Sequence, residues 1–377
     1  MPQYVPINNQ TDVIVDTTKV TAGYFTGGLG TLAVDNLTTS SLSATQKGYY
    51  YNLQYSSEDQ LSVSYGHIEG SGSGAANETK AVYNQFKVLL LDPEDLASTA
   101  SNGFKFSGLI PTSGSESGIS NTSDYEENMY FIVAERARMK DRWNKKNWTL
   151  KLSGSKSSEV NDGSEFAVSG STLALTDDSS TVSATATPVG PRYNIVSGSD
   201  GVIVAASSSV HFGHFYPHVG IIALRGNMLS SSTYGIPGLV GSVESSSFME
   251  DGGNGTGLAS DLSNLGLADN ALKLAQAVHQ GIQAFRSEED QTSKAYFCRA
   301  MANDFNFSNN PTFVSGSDKQ LRHSDMIGYP HSFISTVGLY QSVTGGGTME
   351  LVAVGRLSSP VQKNYGTEAT IKVKLTY

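Results

Sequence analysis

Cysteine is almost missing from this chain. Cys298 stands alone among 377 residues, so no intramolecular disulfide can form and no cysteine-based zinc cluster can be built within one copy. That usage fits folding in a reducing cytoplasm. Charge is scarce as well: charged residues make up 16% of the chain, and the balance is acidic, with a formal net charge of −10. A general nucleic-acid binder needs a basic face for phosphate, so the composition argues against DNA, RNA and anionic lipid as partners. No apolar run approaches the length that spans a bilayer, and Met1-Pro-Gln-Tyr-Val-Pro-Ile-Asn8 carries neither the basic nor the apolar part of a signal peptide. No Gly-x-Ser-x-Gly elbow occurs, and no residue has a catalytic role that its neighbours support. The expectation is a non-enzymatic protein with no cofactor, no nucleic acid and no membrane.

What is present favours strands. Gly, Ser, Thr, Val and Tyr are abundant, which suits a pleated, loop-rich chain more than a helical one. A mainly β (α+β) fold is expected, with antiparallel sheets or sandwich-like modules and one or two helices packed alongside. At the C-terminal end, Phe333–Tyr340, Glu350–Arg356 and Ala369–Tyr377 read as three strands of one antiparallel sheet, the first two joined across Gly345-Gly346-Gly347. Ile371, Val373 and Leu375 alternate with Thr370, Lys372 and Lys374, the period of a sheet with one wet face. Aromatic-rich strands are expected at residues 48–55 and 60–66, and further strands at 129–134, 148–152, 193–196, 201–204 and 219–224, the last buried on both faces.

Two helices stand out. Val82, Phe86 and Leu89 share one face of a helix over residues 79–91 that Pro93 stops. Leu272, Ala275, His279, Ile282 and Phe285 recur at helical spacing over 269–286, with Asp269 as N-cap. The Ser/Thr-rich stretch 154–188 reads as an exposed elaboration, and the Gly-rich runs 70–74 and 251–255 as loops. These divisions suggest a β-rich domain over 1–250 and a helix-plus-sheet domain over 251–377.

Candidate chemistry is thin. His211, His214 and His218 form the one group that resembles a metal site, yet residues three apart on a strand face opposite sides and Pro217 opposes the helix that would unite them. The alternative is a set of histidines lining a turn at a sheet edge. Arg136, Arg138, Lys140 and Arg142 alternate, so an extended strand would place them on one face, either docking an acidic neighbour or forming a solvated hairpin. Asp177 and Asp178, and the group Asp124, Glu126 and Glu127, read as solvating loop acids. Phe305, Phe307 and Phe313, set among Asn306, Asn309 and Asn310 before Pro311, offer apolar anchors for a partner or for an internal loop.

Several segments together carry a resemblance: Ser64-Tyr-Gly-His67, Ala81-Val-Tyr-Asn-Gln-Phe86, Glu135-Arg-Ala-Arg-Met-Lys140, Tyr193-Asn-Ile-Val-Ser-Gly-Ser199, Phe215-Tyr-Pro-His-Val-Gly220 and Asp304-Phe-Asn-Phe-Ser-Asn-Asn-Pro-Thr-Phe313. The chain resembles structural proteins of large, T-even-like contractile-tailed marine and cyanobacterial phages. What the resemblance implies is a virion component, with no particular address in the particle. The leading expectation is a protein made in the host cytoplasm and placed in the tail or baseplate region, packing as a homo-oligomer or symmetric assembly against other virion structural proteins. A neck or head-surface (decoration) protein is the alternative within that class. A metal-assisted hydrolase of the cell envelope, built on the three histidines, is the alternative outside it.

Overall fold

Strands dominate the computed structural model, and the large sheets are antiparallel, one of them curled into a half-barrel. It describes residues 4–39, 46–70, 76–93, 103–106, 125–154, 171–205, 208–230, 235–236, 239, 270–342 and 349–376. The loops expected at 71–74, 251–255 and 345–347, the Asp269 cap and most of the Ser-rich stretch (155–170) lie outside the described residues. Two compact units divide the chain: Val20–Glu289, and Met1–Lys19 together with Asp290–Tyr377. This is not the division near residue 250 that composition suggests. Both crossings fall inside strands, β1 (Val13–Gly23) and β15 (Arg286–Ala300), where no loop-like composition marks them.

The larger unit is built on one sheet. Its strands are β2 (Thr31–Leu32), β3 (Tyr50–Tyr55), β4 (Glu58–His67), β5 (Asn128–Ala134), β7 (Thr149–Gly154), β8 (Ser171–Asp177), β9 (Thr185–Thr187), β10 (Gly190–Ser199), β11 (Val202–Ile203), β12 (Gly213–Tyr216), β13 (Ile221–Arg225) and β14 (Gln283–Ala284). They run in the order β2-β14-β7-β8-β10-β12-β13-β5-β4-β3, with β9 and β11 added beside β10. The short β6 (Arg142–Trp143) pairs instead with the first residues of β15. Every residue of β13 is buried, as its unbroken apolar run requires. The β3–β4 hairpin turns on Ser56 and Ser57, both with positive φ (52° and 62°), the twist that lets a two-residue loop match the strands it joins.

Helices cover this sheet. The long helix α1 (Ala76–Leu90) lies against β4, where Gly66 allows the approach: a Cβ there would sit 2.8 Å from the Tyr83 nitrogen. Its buried residues are Thr79, Tyr83, Lys87 and Leu90, while Leu89 is exposed, so the inward face is rotated from the Val82–Phe86–Leu89 stripe. The hydroxyl of Tyr83 causes this, because it donates to the Glu126 carbonyl (2.8 Å) and accepts from the Phe104 amide (3.2 Å). A four-residue helix, α2 (Gly226–Leu229), follows β13. Helix α3 (Asn270–His279) packs against β3, β4 and β7 and is buried along all ten residues. It stops well short of Phe285: Ile282 and Phe285 continue the helical spacing, but Gly281 breaks the backbone and the chain re-enters the sheet as β14. The acids Glu288 and Glu289, expected beyond a helix end, instead lie in β15.

Trp143, Trp148, Phe215 and Phe285 stack at the centre of this unit's core, with ring centroids 4.9–6.0 Å apart. At about 25 cal/mol per Å² of apolar surface, and 150–250 Å² per aromatic ring, each buries on the order of several kcal/mol of hydrophobic free energy before entropy is counted. The strands expected near 129–134 and 148–152 exist as β5 and β7, but each has other neighbours and they form no hairpin. Asp177 and Asp178 are buried: Asp177 accepts from the Lys146 and Ser179 amides, and Asp178 from the Asn194 amide and side chain. They close turns around β8 and β10, which sequence composition disguised as surface acid.

In the smaller unit the final strand β20 (Ala369–Thr376) pairs antiparallel with β15 from Ala300↔Ala369 to Ser293↔Thr376, with β1 on the other side of β15. Its alternation holds: Ile371 is buried while Thr370, Lys372 and Lys374 are exposed. The other two C-terminal strands, β18 (Ser332–Ser342) and β19 (Met349–Lys363), form a separate two-stranded ribbon, so the expected three-stranded sheet is a ribbon plus a strand paired elsewhere. Two-residue strands β16 (Val314–Ser315) and β17 (Gln320–Leu321) pair nearby in sequence.

Candidate interaction surface

The β18–β19 ribbon presents more apolar surface than its own unit covers. Two register shifts, between Ile334 and Thr336 and between Leu339 and Tyr340, twist it and place Val352 as an extra residue. Beyond the second shift, Leu339 and Ala353 point to one face and Tyr340, Leu351 and Val354 to the other, since partners across an antiparallel pair share a face. Leu339 is buried, whereas Val354 is 62% exposed, Leu351 49% and Tyr340 44%. Met349, opposite Ser342, extends the outward face, and the Tyr4 ring stands edge-on to Tyr340 at 5.0 Å. The ribbon carries two exposed charges, Glu350 and Arg356, with the run Leu351-Val-Ala-Val-Gly355 between them.

The base of the ribbon is pinned by the Phe305–Phe313 segment. Lys363 is fully buried, and its ammonium donates to the Ala302 carbonyl (3.0 Å), the Asn306 side-chain oxygen (2.9 Å) and the Asn364 carbonyl (2.9 Å). Three donors thus meet three acceptors, the condition for holding a lysine inside. Ser332 Oγ donates to the Phe305 carbonyl, and Phe305 itself adopts a left-handed φ of 54°. Phe313 is buried and meets Phe307 edge-on at 5.4 Å, while Phe307 remains 52% exposed. The structure therefore brings Phe307 and Phe313 together and uses Phe305 through its backbone.

The basic residues sit in the larger unit, Arg136, Arg138 and Lys140 on and just after a turn following β5 and Arg142 at the start of β6, and no single strand face gathers them. Arg138 donates to the Asp59 carbonyl (2.7 Å) and pairs with Glu58 (2.5 Å). Arg136 donates to the Lys140 carbonyl (2.6 Å), Lys140 pairs with Glu289 (3.3 Å), and Arg142 pairs with Glu288 (2.7 Å), whose other oxygen accepts from Asn144 (2.7 Å). Alternation in sequence was misleading here because the chain bends at 136–138, and each cation finds a local acceptor. Glu58 is held below the ordinary carboxylate range by hydrogen bonds from Thr26 and Arg138.

The three histidines take different environments. His218 is exposed in the turn after β12, His211 is half-buried, and His214 is buried within β12. Among the described residues no group of three or more His, Cys, Asp or Glu side chains is placed to hold a metal. His214 lies 4.3 Å from the Phe106 ring, and its Nδ1 has no hydrogen-bond partner among the described residues. Next to it Arg225 stacks over the same ring at 5.0 Å and pairs through Nε with Glu126 (3.1 Å), while its Nη1 donates to the His211 carbonyl (3.2 Å). The second Glu126 oxygen accepts from the Asn227 amide (3.3 Å). This pair is sealed, at 4% and 2% side-chain exposure, and was not legible in the sequence because Arg225 ends an apolar strand and Glu126 sits in an acidic run. Burial raises the Glu126 pKa, with Arg225 opposing.

Burial holds His214 well below its ordinary value, reinforced by Arg192, His211 and Arg225. Its folded-state pKa is depressed, so the unfolded chain takes a proton near pH 6.5 that the native state refuses. Stability should therefore fall as pH drops below about 6.5, by up to about 1.4 kcal/mol per pH unit from this group. Urea unfolding at pH 7, 6 and 5 should show a shallower acid loss in His214→Phe than in the parent, whatever the absolute stability of the variant. Equal slopes would remove His214 as the cause.

No family model, no curated protein and no solved structure matches this chain.

Proposed function

We propose that this chain is a structural protein of a contractile-tailed phage particle, placed in the tail or baseplate region, that works by packing against copies of itself and against other virion proteins. The observation that carries the reading is the outward face of the β18–β19 ribbon, where Tyr340, Met349, Leu351 and Val354 are exposed side by side. A two-stranded ribbon is marginal alone, and an apolar face of this kind is characteristic of a surface awaiting a neighbour. The resemblance of Ser64–His67, Ala81–Phe86, Tyr193–Ser199 and Asp304–Phe313 to phage structural proteins supplies the class of neighbour. The buried Arg225–Glu126 pair and the closed aromatic stack suit a larger unit that is rigid in its own right.

Mass spectrometry of particles purified from infected cells tests this directly. The chain should appear at a fixed copy number relative to the other tail components. Particles that lack it would overturn the assignment.

A further inference from the structure

We propose that Phe106 is an acid-operated lid over His214. It seals the imidazole inside the larger unit at neutral pH and swings out when the imidazole takes a proton, while the sheet beneath stays folded. This goes beyond the assembly reading and does not depend on it.

Phe106 is held differently from its anchor two residues earlier. Phe104 is fully buried: its carbonyl accepts from the Glu126 amide (2.8 Å), its amide donates to the Tyr83 hydroxyl (3.2 Å), and its ring packs on Tyr83 and Phe131, each with centroids 5.6 Å away. Beyond it the grip weakens. Among the described residues the backbones of Lys105 and Phe106 make no hydrogen bond, and Lys105 is exposed. The half-buried Phe106 is kept in place by packing, with His214 at 4.3 Å and the Arg225 guanidinium at 5.0 Å from its ring.

What lies beneath decides when the ring leaves. The charged groups that face the buried His214 are Arg192 from β10, His211 ahead of β12 and Arg225 from β13, and Tyr216 of its own strand stands edge-on at 6.3 Å. Glu126, the carboxylate of this cluster, is already committed to Arg225 and to the Asn227 amide. A proton on His214 therefore adds a sealed charge beside two guanidinium groups, with Nδ1 meeting no acceptor among the described residues. An aromatic face offers such a cation about 0.5–2 kcal/mol. Burying an ion without a partner costs several kcal/mol, so the contact with Phe106 loses to hydration. The strand cannot move to find water, because β12 lies between β10 and β13 with His214 paired to Asn194 on one side and Ala223 on the other. Phe106, which breaks no hydrogen bond when it turns away from Phe104, gives the cheaper route. The open form takes up a proton that the closed form refuses, so the ratio of open to closed rises by up to about tenfold per pH unit below about pH 6.5.

Phe106→Trp in the full-length chain places a reporter in the lid. Trp143 and Trp148 are buried, so acrylamide, a neutral quencher, reads the introduced indole. Its Stern–Volmer constant should rise several-fold between pH 7 and pH 5 while far-ultraviolet circular dichroism stays unchanged. The rise should vanish when Phe106→Trp is combined with His214→Phe, which cannot take the proton. Phe106→Ala decides the question even if the tryptophan variant fails to fold. With the lid gone, His214 meets water in the folded state, so the acid loss of stability measured by urea between pH 7 and pH 5 should be smaller than the parent's. Quenching that is equal at the two pH values, a rise that persists with His214→Phe, or a rise that comes with loss of the sheet signal would overturn the proposal. So would an acid loss in Phe106→Ala as large as the parent's.

Discussion

Arg225→Met should destabilise the protein by about 3–5 kcal/mol, the usual result of removing one member of a buried ion pair. Glu126 would then keep its carboxyl inside with the Asn227 amide still donating to it, and the Phe106 ring would lose the guanidinium stacked on it. The carboxyl can escape part of this by taking a proton, since burial already raises its pKa. For a group whose folded pKa lies above its unfolded value, the native state is favoured at low pH and that advantage is lost as pH rises through the folded pKa. The variant should therefore recover some stability on acidification, opposite in sign to the His214 effect. Glu126→Gln combined with Arg225→Met should cost less than Arg225→Met alone, because the uncompensated charge is gone. Urea midpoints of the parent, the two single variants and the double variant measure this coupling. Near-additive costs would mean that the pair contributes nothing as a pair.

Gly281→Ala should be of similar size, about 3 kcal/mol or more, for a steric reason. A Cβ at residue 281 would stand 1.6 Å from the Lys151 carbonyl oxygen, a distance no side chain movement can relieve. Lys151 lies in β7, held in register opposite Ala174 of β8, and its carbonyl also accepts from Gln283 Nε2 at 2.8 Å. Room for the methyl group comes only by shifting β14 away from β7, which also disturbs the Gln283 bond to the Val278 carbonyl. Gly28→Ala is the matched control: its φ of 73° carries a left-handed cost of about 1–2 kcal/mol, but no atom lies within 4 Å of the added carbon. Similar thermal shifts for the two variants would contradict the clash.

Much of the strand content was legible in the sequence, because period-two alternation reports which side of a strand is wet. Ile371 and its exposed neighbours behaved as their pattern required. Neighbours were not legible: alternation sets a face and says nothing of which strand lies alongside, so β20 was expected beside the β18–β19 ribbon and pairs with β15. Helical spacing was equally blind to its own end. Leu272, Ala275 and His279 lie in α3, while Ile282 and Phe285 satisfy the same period from the loop before β14 and from the single residue between β14 and β15; the cue was Gly281, whose need for close backbone approach is visible in three dimensions alone. At the candidate site, the exposed run from Leu351 to Val354 could be read as strand, but its exposure could not. The Arg136–Arg142 alternation pointed to one shared face, and the turn at 136–138 gave each cation a separate acceptor. Asp177, Asp178 and Glu126 looked like surface acids because composition cannot show which backbone amides will converge on a carboxylate.

The path of β1 has a consequence for how the protein is made. Its first residues belong with β15, about 270 residues later, just as Leu32 of β2 must wait for Gln283 of β14. At synthesis rates of roughly 5–20 residues per second, the opening strand leaves the ribosome about a quarter of a minute to a minute before its neighbour exists. The larger unit, whose last residue is Glu289, is complete before β20 is made, so the two units close in order and the opening strand stays unpaired longest.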